Sequence, residues 1–189
     1  MSEMRNLLPD PWPVGTRGWK RFGGGADDIQ LSVTASNPTC VYARNITGGD
    51  GRGRGVETTL SLEAGDYVFG LRLNEASQYG ANGQLALVQR GSDYISIVRY
   101  QGKRKYYAAQ FTLPQQSTVK LLLVLPAAEN SEFEIHYLQL MSKEDWTHMR
   151  NLKNSDGTPG NIRWFAPPKA ASHGVMSTPE LDLGGVVLS

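Results

Sequence analysis

Residues 105–141 constrain the fold more than any other stretch, because they alternate residue by residue over three consecutive runs. In the first run Tyr107, Ala109, Phe111 and Leu113 interleave with Tyr106, Ala108, Gln110 and Thr112, the period of two that buries one face of a β-strand. Pro114, which has no N–H to give to a ladder, and the polar Gln115, Gln116 and Ser117 end it. The second run sets Val119, Leu121, Leu123 and Leu125 on one face and stops at Pro126. In the third, Phe133, Ile135 and Tyr137 point one way and Glu132, Glu134 and His136 the other. The pattern predicts three consecutive strands, a meander. An isolated meander cannot hide its apolar face, so the rest of the chain must supply a second sheet.

The segments upstream meet that requirement. Residues 28–34, with Ile29, Leu31 and Val33 inward, and residues 39–44 read as two strands around a turn at Ser36-Asn37-Pro38. Residues 56–62 and 67–74 read as a hairpin across Glu63-Ala64-Gly65-Asp66, with Tyr67, Phe69, Leu71 and Leu73 inward. Residues 84–90 and 94–100 form another across Gly91-Ser92-Asp93. Nine or so strands at short intervals, in a chain of 189 residues with 21 glycines and 10 prolines, predict an all-β sandwich or jelly roll over residues 28–141. Residues 1–27 read as an N-terminal anchor segment, whose Trp12 and Trp19 suit burial better than a ligand platform. Residues 142–189 read as an extended C-terminal arm, with a helical turn capped at Ser142 and with Trp164 and Phe165 as its large anchors.

Several function classes find no footing. A net charge of +1 gives no electrostatic case for nucleic acid. The single cysteine, Cys40, excludes a disulfide framework and a zinc site built of several thiolates, and reads as a small buried strand residue. No run approaches the roughly 20 apolar residues of a membrane span, nor is there a secretory signal, so synthesis in a cytoplasm without membrane insertion is expected. The glycine-rich segment 48–55 is followed by strand-like residues, which argues against a phosphate cradle. A solvated loop is favoured there over contact of Arg52 and Arg54 with an acidic partner. Asp27 and Asp28 suit surface turns better than calcium ligation.

His136, His148 and His173 show no metal-binding spacing, and no G-x-S-x-G elbow is present. His136 shares a strand face with Glu132 and Glu134, and a solvated face is favoured over a metal or acid–base patch. No catalytic residue, cofactor or metal is therefore assigned. Exposed tyrosines are the natural currency of sugar contact; Tyr94, Tyr100 and Tyr106 are the candidates, with Tyr106 best placed. In the second run Leu122 and Val124 make the opposite face apolar as well. A strand apolar on both faces needs outer cover, from the arm or from another subunit, so Leu122, Val124, Trp164 and Phe165 are candidate assembly contacts.

Several short motifs match a known family. Leu62-Glu63-Ala64-Gly65-Asp66-Tyr67-Val68-Phe69 resembles the L-x-x-G-x-Y hairpin of carbohydrate-binding-module-like jelly rolls. Phe111-Thr112-Leu113-Pro114 with residues 119–125, the closing 133–141 strand and the opening Asn6-Leu7-Leu8 … Gly18-Trp19 are similar to their other strands. Such modules recur in minor tail proteins of phages that infect actinobacteria. The stretch Asp156-Gly157-Thr158-Pro159 … Trp164 … Ser172 resembles the tail of those proteins, with Asp-Gly in place of Gly-Asp and without the preceding aromatic. The resemblance implies a non-enzymatic structural protein of a tailed-phage virion, a minor tail protein made in the host cytoplasm. Its partners would be other virion proteins, copies of itself and host cell-wall glycan. The alternative is a carbohydrate-binding module recognising bacterial cell-wall glycan, and a third reading is an accessory domain of a glycan-active enzyme.

Overall fold

The computed structural model describes residues 6–8, 16–34, 40–49, 53–76, 79–80, 83–102 and 106–151. Trp164 and Phe165, and with them most of the expected C-terminal arm, lie outside the described residues. A 3-10 turn at Thr16–Gly18 leads into β1 (Lys20–Phe22), β2 (Ile29–Thr34), β3 (Cys40–Asn45), β4 (Gly55–Leu62) and β5 (Gly65–Ala76). Then follow β6 (Gln84–Arg90), β7 (Asp93–Arg99), β8 (Tyr106–Leu113), β9 (Ser117–Val124), β10 (Glu132–Ser142) and the helix α1 (Lys143–Asn151). The strands form two five-stranded antiparallel sheets, ordered β1-β4-β9-β6-β7 and β2-β3-β10-β5-β8. This is a jelly-roll β-sandwich. No described helix is long and apolar enough to cross a membrane.

The core is the set of residues that alternation marks as inward. Tyr67, Phe69, Leu71 and Leu73 of β5 meet Tyr107, Ala109, Phe111 and Leu113 of β8, and both rows face Val119, Leu121 and Leu123 of the other sheet. Trp19 and Leu8 join them, 3% and 1% exposed, so the anchor reading of Trp19 holds. The hairpin at Gly91 forms as expected, with the glycine at φ +59°, a conformation that costs a residue without Cβ little.

Two pairings differ from the sequence expectation. The runs β8, β9 and β10 are no meander: β9 crosses to the opposite sheet and β10 returns beside β5. Likewise β4 and β5 are not a hairpin, because they belong to different sheets. Alternation reports which face of a strand is buried, and both sheets bury theirs in one interior. It therefore says nothing about which sheet a strand joins.

The central strand β10 carries an irregularity that positions the site described below. Its register with β5 shifts between His136 and Gln139, and Tyr137 sits at φ +50°. One extra residue changes the phase: Phe133 and Ile135 point into the core, but Leu138 and Leu140 follow them there instead of Tyr137. The N-terminal segment seals this strand. Asn6 Nδ2 donates to the Leu138 carbonyl (3.1 Å), the Leu140 N–H donates to Asn6 Oδ1 (3.0 Å), and the Leu7 N–H donates to the Leu140 carbonyl (2.7 Å).

α1 begins where Ser142 Oγ accepts the Asp145 N–H at 3.0 Å, the expected cap, and runs for nine residues rather than a single turn. Trp146 and Met149 bury against Val68, Ala108 and Met141, on the outer side of the β2-β3-β10-β5-β8 sheet. The helix thus roofs one part of that outer face and leaves the remainder to other side chains.

Candidate functional site

Outside the helix, the outer face of the β2-β3-β10-β5-β8 sheet is built of polar and aromatic residues. β3 contributes Cys40, Tyr42 and Arg44; β10 contributes Glu132, Glu134, His136, Tyr137 and Gln139; β5 contributes Arg72 and β8 contributes Tyr106. The bulge is what assembles its centre. By placing His136 and Tyr137 in succession away from the core, it brings the Tyr137 ring to Arg72, whose guanidinium carbon lies 5.8 Å from that ring's centroid. The same guanidinium is 5.7 Å from the centroid of Tyr106, which β8 brings alongside through the pairing Arg72↔Tyr106. Both separations fall within the range of a cation–π contact.

Around this centre the carboxylates and their partners are ordered. The Tyr42 hydroxyl donates to Glu132 Oε2 at 2.6 Å, and His136 Nε2 lies 2.5 Å from Glu134 Oε1. Arg44 Nη2 donates to Asn130 Oδ1 at 3.0 Å. His136 and Gln139 are buried, at 6% and 4% exposure. The expectation of a solvated histidine face is thereby corrected. Neighbouring side chains on three strands close over His136, and alternation along one strand cannot reveal that.

Among the described residues, seven buried side-chain nitrogens or oxygens have no hydrogen-bond partner. Five of them belong to this face: Arg44 Nε, Arg72 Nε, His136 Nδ1, Gln139 Oε1 and, at the edge of the helix, Trp146 Nε1. Buried polar atoms are nearly always paired, and each orphan costs about 1–3 kcal/mol. Beside them the half-buried rings of Tyr106 and Tyr137 and the half-buried Arg72 are the part of this face that solvent reaches.

The three tyrosines singled out from sequence do not come together. Tyr106 is on this face. Tyr94 is 53% exposed on β7, the last strand of the opposite sheet. Tyr100 stacks on Tyr79 with centroids 5.0 Å apart and packs against the core. The sequence reading missed Arg72, Gln139 and above all Tyr137, which it placed inward. A signal for Tyr137 was present: Phe133 and Ile135 are odd-numbered whereas Leu138 and Leu140 are even, so the apolar phase slips within two residues.

The other sequence candidates are accounted for locally. Leu122 and Val124 are 4% and 7% exposed, and Leu87, Phe22 and Ile97 pack with them on the outer side of the β1-β4-β9-β6-β7 sheet. The cover expected from an arm or a second subunit is thus supplied in part by neighbours on the same sheet, because the register sets Leu87 against Leu122 and the Phe22 ring lies over Gly55. Asp28 is engaged within its own turn. Its carboxylate accepts from the Gly25 N–H (3.0 Å) and the Thr47 hydroxyl (2.8 Å), and Arg54 Nη2 sits 3.3 Å away. These contacts, the Gly25 hydrogen bond foremost, hold its pKa below the ordinary 3.8. Arg54, expected in a solvated loop, is held by this pairing and by a 3.2 Å hydrogen bond to Asn45 Oδ1.

No protein-family model matches the chain, and no curated protein matches it. Solved structures do share its fold. The C-terminal family 22 carbohydrate-binding module of Clostridium thermocellum Xyn10B is similar at a TM-score of 0.53 and 12% identity, over 75% of this chain and 97% of that one. A family 4 carbohydrate-binding module is similar at 0.50 and 15% identity, over 68% and 96%. The enzymatically active domain of tailspike protein 4 of bacteriophage CBA120 is similar at 0.50 and 11% identity, over 72% of this chain and 21% of that one. At such identities the likeness establishes the fold, a jelly roll of the carbohydrate-binding-module kind.

Proposed function

We propose that this protein is a non-enzymatic glycan-binding module, and that the outer face of the β2-β3-β10-β5-β8 sheet takes the sugar. The observation that carries the reading is the half-buried Arg72 set against the half-buried rings of Tyr106 and Tyr137, with Tyr42, Arg44, Glu132 and Glu134 on the same face. Pyranose hydroxyls supply both donors and acceptors at close spacing, while the C–H face of the ring suits a tyrosine. Arg72 donates, the half-buried carboxylates of Glu132 and Glu134 accept and the two tyrosines stack, so the face meets a sugar's chemistry without any catalytic step. The fold shared with carbohydrate-binding modules supports the same reading. Bacterial cell-wall glycan is the first ligand class to test.

The test is sedimentation of the purified chain with bacterial cell walls, followed by calorimetry with soluble wall fragments. Arg72→Ala, which loses a charged donor, and Tyr137→Ala, which loses a stacking ring, are each expected to weaken binding roughly tenfold or more. Tyr94→Ala, on the other sheet, is expected to leave it unchanged. Absence of binding to walls and to a panel of neutral and acidic polysaccharides would overturn the reading, as would binding that survives Arg72→Ala.

A second reading is a structural role in a phage tail, as a minor tail protein in contact with other virion proteins and with copies of itself. The occurrence of this fold within a bacteriophage tailspike favours it. Co-purification of the chain with assembled phage particles, detected by mass spectrometry, tests that role, and the two readings are compatible where a tail binds host glycan.

A further inference from the structure

One end of the same face holds a cluster with a chemistry of its own. Glu134 and His136 stand two residues apart on β10 and so share a side of the sheet. β10 pairs with β3 through Glu134↔Tyr42 and Ile135↔Val41, and the register carried one step further sets His136 beside Cys40. The Cys40 sulfur, a Glu134 carboxylate oxygen and a His136 ring nitrogen all lie within 4.8 Å of one another. Cys40 is 1% and His136 6% exposed, and the Glu134 side chain 19%.

A thiolate, an imidazole and a carboxylate are an unusual trio to gather in a sheet that otherwise buries such groups singly. The sulfur and nitrogen donors discriminate against calcium and magnesium, which take oxygen ligands. Zinc accepts all three donor types, with bonds of about 2.3 Å to sulfur and about 2.0–2.2 Å to nitrogen and oxygen. Two ligands on one tetrahedral zinc then lie about 3.3–3.6 Å apart, so donors already within 4.8 Å need only small side-chain rotations. Charge agrees. One dication balances one thiolate and one carboxylate in a site where isolated ions would be costly.

A second observation points the same way. The His136 ring touches Glu134 through Nε2, while its buried Nδ1 makes no hydrogen bond among the described residues. A buried ring nitrogen without a partner is uncommon, and a metal ion is one of the groups that would engage it. We propose that Cys40, Glu134 and His136 bind a zinc ion, with a fourth position left for water or a ligand oxygen. On binding, the cysteine S–H is replaced by an S–Zn bond and its proton passes to solvent.

The cluster shares a sheet face with the proposed sugar site, and its test uses no glycan. The full chain, stripped with a chelator, is titrated with zinc chloride by calorimetry and separately with cobalt(II) by absorption. One equivalent of zinc is expected to bind, and cobalt is expected to give a thiolate-to-metal charge-transfer band. Cys40→Ser should abolish that band. Glu134→Gln, isosteric and partly exposed, should weaken zinc roughly tenfold or more, while circular dichroism shows the fold retained. Calcium chloride in excess should not compete. Absence of saturable zinc binding overturns the site. So does stoichiometric zinc that is unaffected by both Cys40→Ser and Glu134→Gln, which would place it on surface histidines.

Discussion

The two outer faces of the sandwich are built to opposite specifications. On the β1-β4-β9-β6-β7 sheet, Phe22, Leu87, Leu122, Val124 and Ile97 close over one another, and at their edge Lys120 Nζ meets Glu57 Oε1 at 3.0 Å. Each of these groups is used within the folded chain itself. On the β2-β3-β10-β5-β8 sheet, buried nitrogens and oxygens stand without partners, and a tyrosine is held in a backbone conformation that bulky residues avoid. A left-handed tyrosine costs of order 1–3 kcal/mol and persists only where surrounding structure enforces it. The first face thus adds stability, and the second gives some up to hold polar groups in fixed positions.

That contrast makes substitutions on the two faces behave differently. The largest stability effect is expected on the apolar face: Leu122→Ala should cost about 2–3 kcal/mol, since the side chain is nearly buried and its removal leaves a gap between Leu87 and Val124. Urea unfolding checks this, and glycan and zinc binding should be unaltered in the surviving folded fraction. On the polar face the sign changes. Gln139→Leu removes an unpaired buried oxygen, so stability should stay level or rise by up to about 1 kcal/mol. A variant that lost stability would erase the distinction between the faces.

The smallest effect lies at neither face, in the turn that Asp28 ties together. Its depressed pKa means that its contribution is fully present above the unfolded value near 3.8 and is lost as pH falls through the lower folded value. The gap in melting temperature between the parent chain and Asp28→Asn should therefore be widest near neutrality and narrow below pH of about 3.8, approaching nothing under the folded pKa. A gap independent of pH would assign the difference to the shape of the turn rather than to its charge.

Much of the sandwich was legible because its inward residues alternate cleanly. Tyr107, Ala109, Phe111 and Leu113 all lie where period two puts them, as do Tyr67, Phe69, Leu71 and Leu73. The sheet assignment was not legible, since β4 and β5 look like a hairpin whether the chain turns back or crosses over. The candidate site was legible only at Tyr106. Arg72, Tyr106 and Tyr137 come from three strands, and a pair such as Arg72↔Tyr106 is a fact of register rather than of local pattern. The bulge left a trace in the slipped phase of Leu138 and Leu140, but its consequence, an aromatic turned out beside an arginine, requires the sheet to be known first.

The place of β10 in its sheet has a consequence for how the chain is made. β2 and β3 pair with each other, as do β5 and β8, and among the described strands β10 alone joins the two ribbons and is the last in sequence. Until it emerges, the nascent chain carries two open edges and a half-covered interior, the condition in which unfinished β-proteins aggregate. The Asn6 clamp on Leu138 and Leu140 is later still, closing over a sequence separation of 132 residues. Closure of this sheet therefore waits on β10 and is completed by segments from both ends of the described chain.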